Sequence, residues 1–176
     1  MWLLGNNKKD PWWQIIWSRT LLPRHSFFTW LFFQQKLPVK CKQARFSSQP
    51  FLQVCDLYQQ ADEDIDHLFF KCTRAQSLWQ AVNAWWPLPF STHSQDAFFK
   101  SIKKILGTRA FKNINYVVAA VALYHMWQSR NILLFNKKHP QLSIVLESCN
   151  SQMQSRILFL HRIYQKYTMC IDRLTG

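Results

Sequence analysis

The sequence predicts an all-α fold: an irregular helical domain followed by a C-terminal lobe built from long helices. Two observations predict it. Apolar residues recur at the three- and four-residue spacing of one helix face in nearly every segment, and residues that cap or end helices flank those segments. Hydrophobic residues make up 48% of the 176 residues and charged residues 18%, which indicates a packed core rather than a disordered basic tail.

The N-terminal elements follow from these signals. Asp10-Pro11 is a suitable cap and first turn for a helix over residues 12–17, and aromatic residues at 27–32 predict a second helix that ends near Leu37-Pro38. A short basic helix is expected from Lys40 to Phe46. Residues 47–66 are polar and rich in turn formers, which predicts a loop.

The remaining elements are long helices. Thr73 is expected to cap a helix that Pro87 ends, and Ser94 to begin a helix that Gly107 closes. A long helix is expected from about Asn113 to Phe135, and a last one from about Gln141. The break near 87–94 predicts two units, residues 10–90 and residues 94–176.

The charge is unevenly distributed. The chain has 22 Lys and Arg against 9 Asp and Glu, for a formal net charge of +13. Residues 56–66 hold five acidic residues and no basic ones, inside an otherwise basic chain. This balance favours a polyanionic partner, and RNA is the expected one.

The sequence carries no sign of catalysis or of a membrane span. It has 3 Gly, no phosphate-binding or dinucleotide fingerprint and no frame for a catalytic serine, so neither an enzyme nor a small-molecule substrate is expected. The longest apolar stretch, 116–127, is too short to cross a bilayer, which needs roughly 20 residues. Five Cys without an export signal favour a reducing intracellular compartment, either a mitochondrion or another organelle, or the nucleus and cytosol.

A group of soft donors surrounds the acidic patch. Cys55 precedes it, and His67 and Cys72 follow it five residues apart. Thiolate and imidazole suit zinc, and a closely spaced pair is a common half-site. Tyr58 stands where a fourth ligand is expected, so the zinc-knuckle-like loop either has three ligands and a water or is completed by Asp56, Asp62 or Cys41. The alternative is that these residues are ordinary core in a site that has lost its metal.

The sequence around these donors resembles a known family. It is similar to the zinc-binding domain that follows the reverse transcriptase in plant non-LTR, LINE-type, retrotransposons, over about residues 12–135. The residues that carry the resemblance are Pro23 to Leu31, Lys36 to Lys40, Cys55 to Tyr58, Glu63 to Cys72, Trp79, and Tyr124 to Asn131 with Phe135. The last of these segments looks like the Trp-x-x-Arg-Asn helix that follows the domain in such polyproteins.

The resemblance implies a Cys-Cys-His-Cys zinc module that helps to hold nucleic acid. Cys55, His67 and Cys72 carry over as ligands, whereas Tyr58 replaces the remaining cysteine. The paired aspartates of a polymerase and the acids of a ribonuclease H are absent. The chain is therefore expected to be a stand-alone, domesticated fragment and not a working retroelement enzyme.

Three basic clusters are the predicted RNA-binding residues. They are Arg24, Lys36, Lys40, Lys42 and Arg45; Lys100, Lys103, Lys104, Arg109 and Lys112; and Lys137 and Lys138. For each cluster taken alone, a solvated helix face is the alternative.

The leading hypothesis is a non-catalytic RNA-binding accessory subunit of a ribonucleoprotein, for which an organellar ribosome is one setting. The alternative is a protein–protein scaffold or adaptor without direct nucleic-acid contact. A zinc-dependent DNA binder in the nucleus is a third hypothesis. Protein subunits of a larger assembly are expected partners in the first two.

Overall fold

The computed structural model describes residues 16–17, 20–47, 52–57, 59 and 61–175, with side chains to residue 165. Within these ranges the chain forms no strand, and its one sheet-like contact is an antiparallel bridge between Val54 and Asp62. The predicted all-α class is confirmed. The elements are α1 (Pro23–Phe33), α2 (Lys40–Gln43) with a 3-10 turn (Ala44–Phe46), a π-helical turn (His67–Lys71), α3 (Thr73–Trp85), α4 (Gln95–Ile102), α5 (Arg109–Asn136) and α6 (Leu142–Thr175).

Helix α1 ends earlier than the predicted stop at Leu37-Pro38. Pro23 begins the helix, since its fixed φ suits the first turn. At the other end Gln35 adopts a φ of 54°, and the Lys36 amide donates to the Leu31 carbonyl at 2.8 Å. This left-handed closure stops the helix before the proline is reached. The helix expected to start at Asp10-Pro11 lies outside the described residues, apart from Ile16 and Trp17.

The ends of α4 and α5 correct two predictions. Ser94 caps α4 as expected, its Oγ accepting from the Ala97 amide at 3.2 Å, but α4 ends at Ile102 and not at Gly107. Gly107 instead lies in the following turn with a φ of 114°, a conformation that favours glycine. Thr108 then caps α5 through the Phe111 amide, so α5 begins four residues before Asn113.

Thr73 is the first residue of α3 and not its cap. Cys72 takes the capping position, with extended backbone angles, directly after the π-helical turn. The helix ends at Trp85, before Pro87, as predicted. The start of α3 is therefore joined to the residue that the sequence singles out as a ligand.

An aromatic cluster forms the centre of the core. Phe32 is fully buried, and its ring contacts those of Phe69 at 5.2 Å and Phe98 at 6.0 Å. Burial of side chains of this size contributes about 1.5–3 kcal/mol each. Phe32 and Phe98 lie on opposite sides of the break near 87–94, so one core spans both predicted units. The division into two units stays a prediction.

Helices α5 and α6 pack side by side in opposite directions. Lys137, in the left-handed conformation, ends α5, and the Asn113 side chain near the start of α5 donates to the Tyr164 hydroxyl at 2.7 Å. Cys149, Met153 and Leu160 of α6 are buried. In the part of the chain that the structure describes, no helix combines the length and the apolarity that crossing a bilayer requires.

Candidate metal centre and basic surface

The three predicted ligands lie together. The donor atoms of Cys55, His67 and Cys72 are all within 4.8 Å of one another, and all three residues are buried. Nε2 of His67 is buried without a hydrogen-bond partner among the described residues. An orphaned imidazole nitrogen beside two thiols is an arrangement that a bound metal ion satisfies. The donor set fits zinc.

A tight loop presents Cys55. Its amide donates to the Ala61 carbonyl at 2.9 Å, and its carbonyl accepts from the Gln59 amide at 2.7 Å. The Val54–Asp62 bridge closes the base of the loop. These bonds hold Cys55 at a fixed position although no helix or strand carries it.

The π-helical turn brings His67 and Cys72 together. The Cys72 amide donates to the His67 carbonyl at 2.7 Å, so the hydrogen bond spans the same five residues as the ligand pair. The Asp64 carboxylate accepts from the His67 amide at 2.6 Å and fixes the start of the turn. The residue types and their five-residue spacing predict the ligand pair. They do not predict this wide turn, which is the local feature that joins the two donors.

The Cys72 thiol is acidified. A hydrogen bond with Cys55 lowers the pKa of Cys72 to about 6, with further lowering by the backbone amides of Arg74 and Ala75 and by His67, against the opposing effect of burial. The amides belong to the first turn of α3, where a negative charge is favoured. By contrast, apolar burial raises the pKa of Cys149 to about 12. Cys72 is thus the thiol prepared to act as a metal ligand.

Three residues suggested as a fourth ligand do not join the cluster. Among the described residues, the group that could hold a metal ion consists of Cys55, His67 and Cys72. Asp56, Asp62 and Cys41 are not part of it. Asp56 is paired with Lys40, whose Nζ lies 2.7 Å from its Oδ1, and Asp62 is exposed. Tyr58 lies outside the described residues.

A buried ion pair beside the cluster is a feature that the sequence did not reveal. Arg130 Nη2 lies 2.8 Å from Glu63 Oε1, and both residues are almost completely buried. Both lie in segments that carry the family resemblance, and Arg130 is a charged residue on a mostly apolar helix. The position of this charge on a mostly apolar helix could have identified Arg130 as one half of a buried pair.

The predicted RNA-binding residues are mostly at the surface, with one correction. Lys42 and Lys112 are half-buried, and Lys40 is buried, with its ammonium bound to Asp56 and to the Val54 carbonyl at 2.8 Å. Lys40 is therefore not available to a phosphate group. The exposed ones are Arg24, Lys36, Arg45, Lys100, Lys103, Lys104, Arg109, Lys137 and Lys138.

The clusters occupy separate places on the fold. Arg109 and Lys112 lie on the first turn of α5, after the Lys100 to Lys104 group on α4 and its turn, whereas Lys137 and Lys138 follow the other end of α5. A helix of 28 residues is about 40 Å long, which separates these two clusters widely. The structure therefore does not bring the Lys100 to Lys112 cluster together with Lys137 and Lys138.

The sequence comparisons agree with the metal-site geometry. Residues 1–79 match the family model described as zinc-binding in reverse transcriptase. The match includes all three ligands and Glu63 but stops before α5, so the expected likeness of Trp127 to Asn131 stays a prediction. Searches of curated proteins and of solved structures gave no match.

Proposed function

Since residues 1–79 match the family model described as zinc-binding in reverse transcriptase, we propose that this chain is a non-catalytic, retroelement-derived subunit that binds RNA within a ribonucleoprotein assembly. The observation that carries the proposal is the buried Cys55, His67 and Cys72 cluster inside the matched region. A plant LINE-type element is the proposed source of the domain, and an organellar ribosome is one assembly of the proposed kind.

The cluster has a structural task in this proposal. Cys55, His67 and Cys72 would hold zinc, and the bound ion would supply a rigid cross-link between the 55–61 loop and the start of α3. Three protein donors leave a fourth coordination position. The chain's own contribution is to keep the donors buried and the Cys72 thiol acidified, so that little reorganisation is needed on binding.

The charge balance supports RNA as the partner. Acidic residues are few, and three of them are paired with cations of the chain itself: Glu63 with Arg130, Asp56 with Lys40, and Asp66 with Lys71 at 2.6 Å. Because these carboxylates are already paired, the exposed cations are left to other anions. Each phosphate neutralised releases counterions, which gives affinity without sequence preference.

A non-catalytic role and an intracellular place belong to the same proposal. The buried carboxylate of Glu63 is neutralised by Arg130 and so is not set up as a general base. Among the described residues, Cys41, Cys55, Cys72 and Cys149 form no disulfide bond, which suits a reducing compartment. The organelles and the nucleus or cytosol both fit this condition.

Sedimentation of the native protein from cell extract tests the proposal. The expected result is migration with a heavy particle, release by ribonuclease, and retention of zinc by the released chain. A chain that sediments alone before nuclease treatment, with no salt-dependent affinity for RNA, would contradict it.

A scaffold or adaptor role is the second candidate. Helix α6 exposes Ile144, Leu158 and Phe159, with 57%, 59% and 39% of their surface accessible. Exposed apolar side chains on one long helix favour protein contacts. If the chain stays with the particle after complete ribonuclease digestion, this role replaces RNA binding.

A further inference from the structure

A group of aromatic and basic side chains lies on α1, on α2, on the segment between them and on the 3-10 turn that follows α2. We name it the α1–α2 strip and define it as Phe27, Trp30, Lys36, Lys42, Arg45 and Phe46. The ring centroids of Phe27 and Trp30 are 5.8 Å apart, and the Lys36 ammonium lies 5.8 Å from the Trp30 ring centroid.

The second half of the strip is joined to the first through the backbone. The Lys42 ammonium donates to the Gln35 carbonyl, next to Lys36. Burial and then the positive charge of Arg45, one turn further along, lower the pKa of Lys42. The two cations are therefore near neighbours. Phe46 ends the strip. The strip therefore consists of two aromatic residues, Phe27 and Trp30, followed by three cations and then Phe46.

The strip leaves aromatic surface in contact with solvent. Phe27 is 55% exposed and Phe46 is 91% exposed. Their neighbours Phe28 and Phe32 supply the core contacts of α1, with Phe28 packed on Tyr124 of α5. Phe27 and Phe46 therefore contribute little to the packing of the described residues.

The electrostatic surroundings select an anionic occupant. Residues 20–47 contain no Asp or Glu. Carboxylates of the acidic patch act on Cys41 of α2. Burial, followed by Asp62, Asp64 and Glu63, raises the pKa of the Cys41 thiol. Glu63 is neutralised by Arg130, and Asp64 accepts from the His67 amide. The cations of the strip have no carboxylate partner among the described residues.

We propose that the α1–α2 strip binds single-stranded RNA, with unpaired bases stacking on Phe27, Trp30 and Phe46 and phosphates contacting Lys36, Lys42 and Arg45. The inference rests on the proposed RNA-binding function and assigns it a surface and a substrate class. Exposed aromatic rings beside basic groups suit single strands, because the bases of a duplex are already stacked. Stacking on exposed rings accepts every base, so binding is independent of sequence.

Fluorescence anisotropy of the full chain with a labelled 12-nucleotide oligouridine and with an RNA duplex of the same length tests the strip. The double variant Phe27→Ala, Phe46→Ala is expected to weaken oligouridine binding by about thirtyfold or more while leaving the salt dependence unchanged. The double variant Lys36→Gln, Arg45→Gln is expected to lower the slope of log affinity against log salt by about 1.4. Circular dichroism checks that each variant is folded.

Matched controls come from the same chain. Phe135 is 73% exposed on α5, and Phe135→Ala is expected to bind oligouridine as the wild type does. Arg162 is exposed on α6, and Arg162→Gln is expected to leave the salt slope unchanged. As a measurement that needs no variant, 4-thiouridine cross-linking is expected to place adducts on the strip.

The outcomes separate the strip from the broader function. If the wild type binds oligouridine but the strip variants bind equally well, or the adducts fall outside residues 27–46, the strip is wrong and RNA binding stands. If the wild type binds neither RNA, the proposed function fails and the strip with it. The inference is also wrong if Phe135→Ala weakens oligouridine binding as much as the strip variants do. It is likewise wrong if the strip variants lose a protein partner while their RNA affinity is unchanged.

Discussion

The Arg130 guanidinium on α5 and the Glu63 carboxylate in the loop before His67 form a buried, two-pronged ion pair. Arg130 Nε and Nη2 donate to Glu63 Oε1 at 3.1 and 2.8 Å. Oε1 also accepts from the Lys40 amide at 3.1 Å, and the Trp127 ring lies 5.0 Å from the guanidinium carbon. One carboxylate thus ties α2, the ligand-bearing loop and α5 together, so metal site and long helix are mechanically connected.

Breaking this pair should destabilise the fold strongly. Glu63→Gln leaves the Arg130 charge buried without a counter-ion, and the free energy of unfolding is expected to fall by about 3–5 kcal/mol. Urea denaturation measures it. Lys71→Gln, in an exposed pair with Asp66, should lower the free energy of unfolding far less, because solvent screens that pair. Similar costs for the two variants would show that the buried pair is not an important constraint.

Metal removal should loosen the same region. The wild type is expected to contain one zinc ion per chain by elemental analysis, and chelation is expected to lower its melting temperature because metal-binding energy contributes to folding. Cys72→Ser should lose the metal and the response to chelator. Cys41→Ser is the control, since Cys41 is half-buried and outside the cluster. Equal zinc content in both variants would contradict the assignment of Cys72.

Acid should weaken the packing of α1 on α5 and α6. Burial, followed by Arg24, His125 and Arg156, lowers the pKa of His25 from 6.5 to about 4, while Gln152 opposes this. The unfolded chain therefore binds a proton that the folded chain excludes, and stability falls as the pH drops from about 6.5 to 4. The loss from this group is up to about 3 kcal/mol. The lowered pKa of His125 acts in the same direction.

Urea denaturation at pH 7 and pH 4 measures this effect. In His25→Asn the difference in the free energy of unfolding between pH 7 and pH 4 should shrink, because the variant has no imidazole here that takes up a proton on unfolding. His161→Asn, at an exposed position on α6, is the control and should keep the full difference. An unchanged difference in His25→Asn would assign the acid sensitivity to other groups.

The aromatic core should show a sharp contrast between two phenylalanines. Phe32 is fully buried at the centre of the cluster, so Phe32→Ala is expected to cost about 3–5 kcal/mol through lost burial and the cavity left behind. Phe46→Ala removes a ring that is 91% exposed and should change stability by less than about 0.5 kcal/mol. Thermal denaturation compares the two variants. Equal losses would place Phe46 in the core instead of on the surface.

The sequence by itself determined the fold class and identified the three candidate ligands that the fold brings together. Apolar spacing and caps such as Ser94 act over a few residues, so they are readable without the fold. Cys55, His67 and Cys72 were readable because zinc restricts its ligands to few residue types and because the surrounding motif is specific. Helix ends depend on the turns that follow them: α4 stops at Ile102 because the chain turns through Gly107 toward the Thr108 cap of the next helix.

Only the tertiary structure decided which charged residues are inside. Lys40 lies in a basic run that looks solvent-exposed, yet its ammonium is buried against Asp56. Glu63 and Arg130 are 67 positions apart, and no local pattern specifies that they meet. Charge pairing across the fold depends on how α5 packs against the ligand-bearing loop. That long-range packing decides which charges are neutralised within the protein and which remain for a partner.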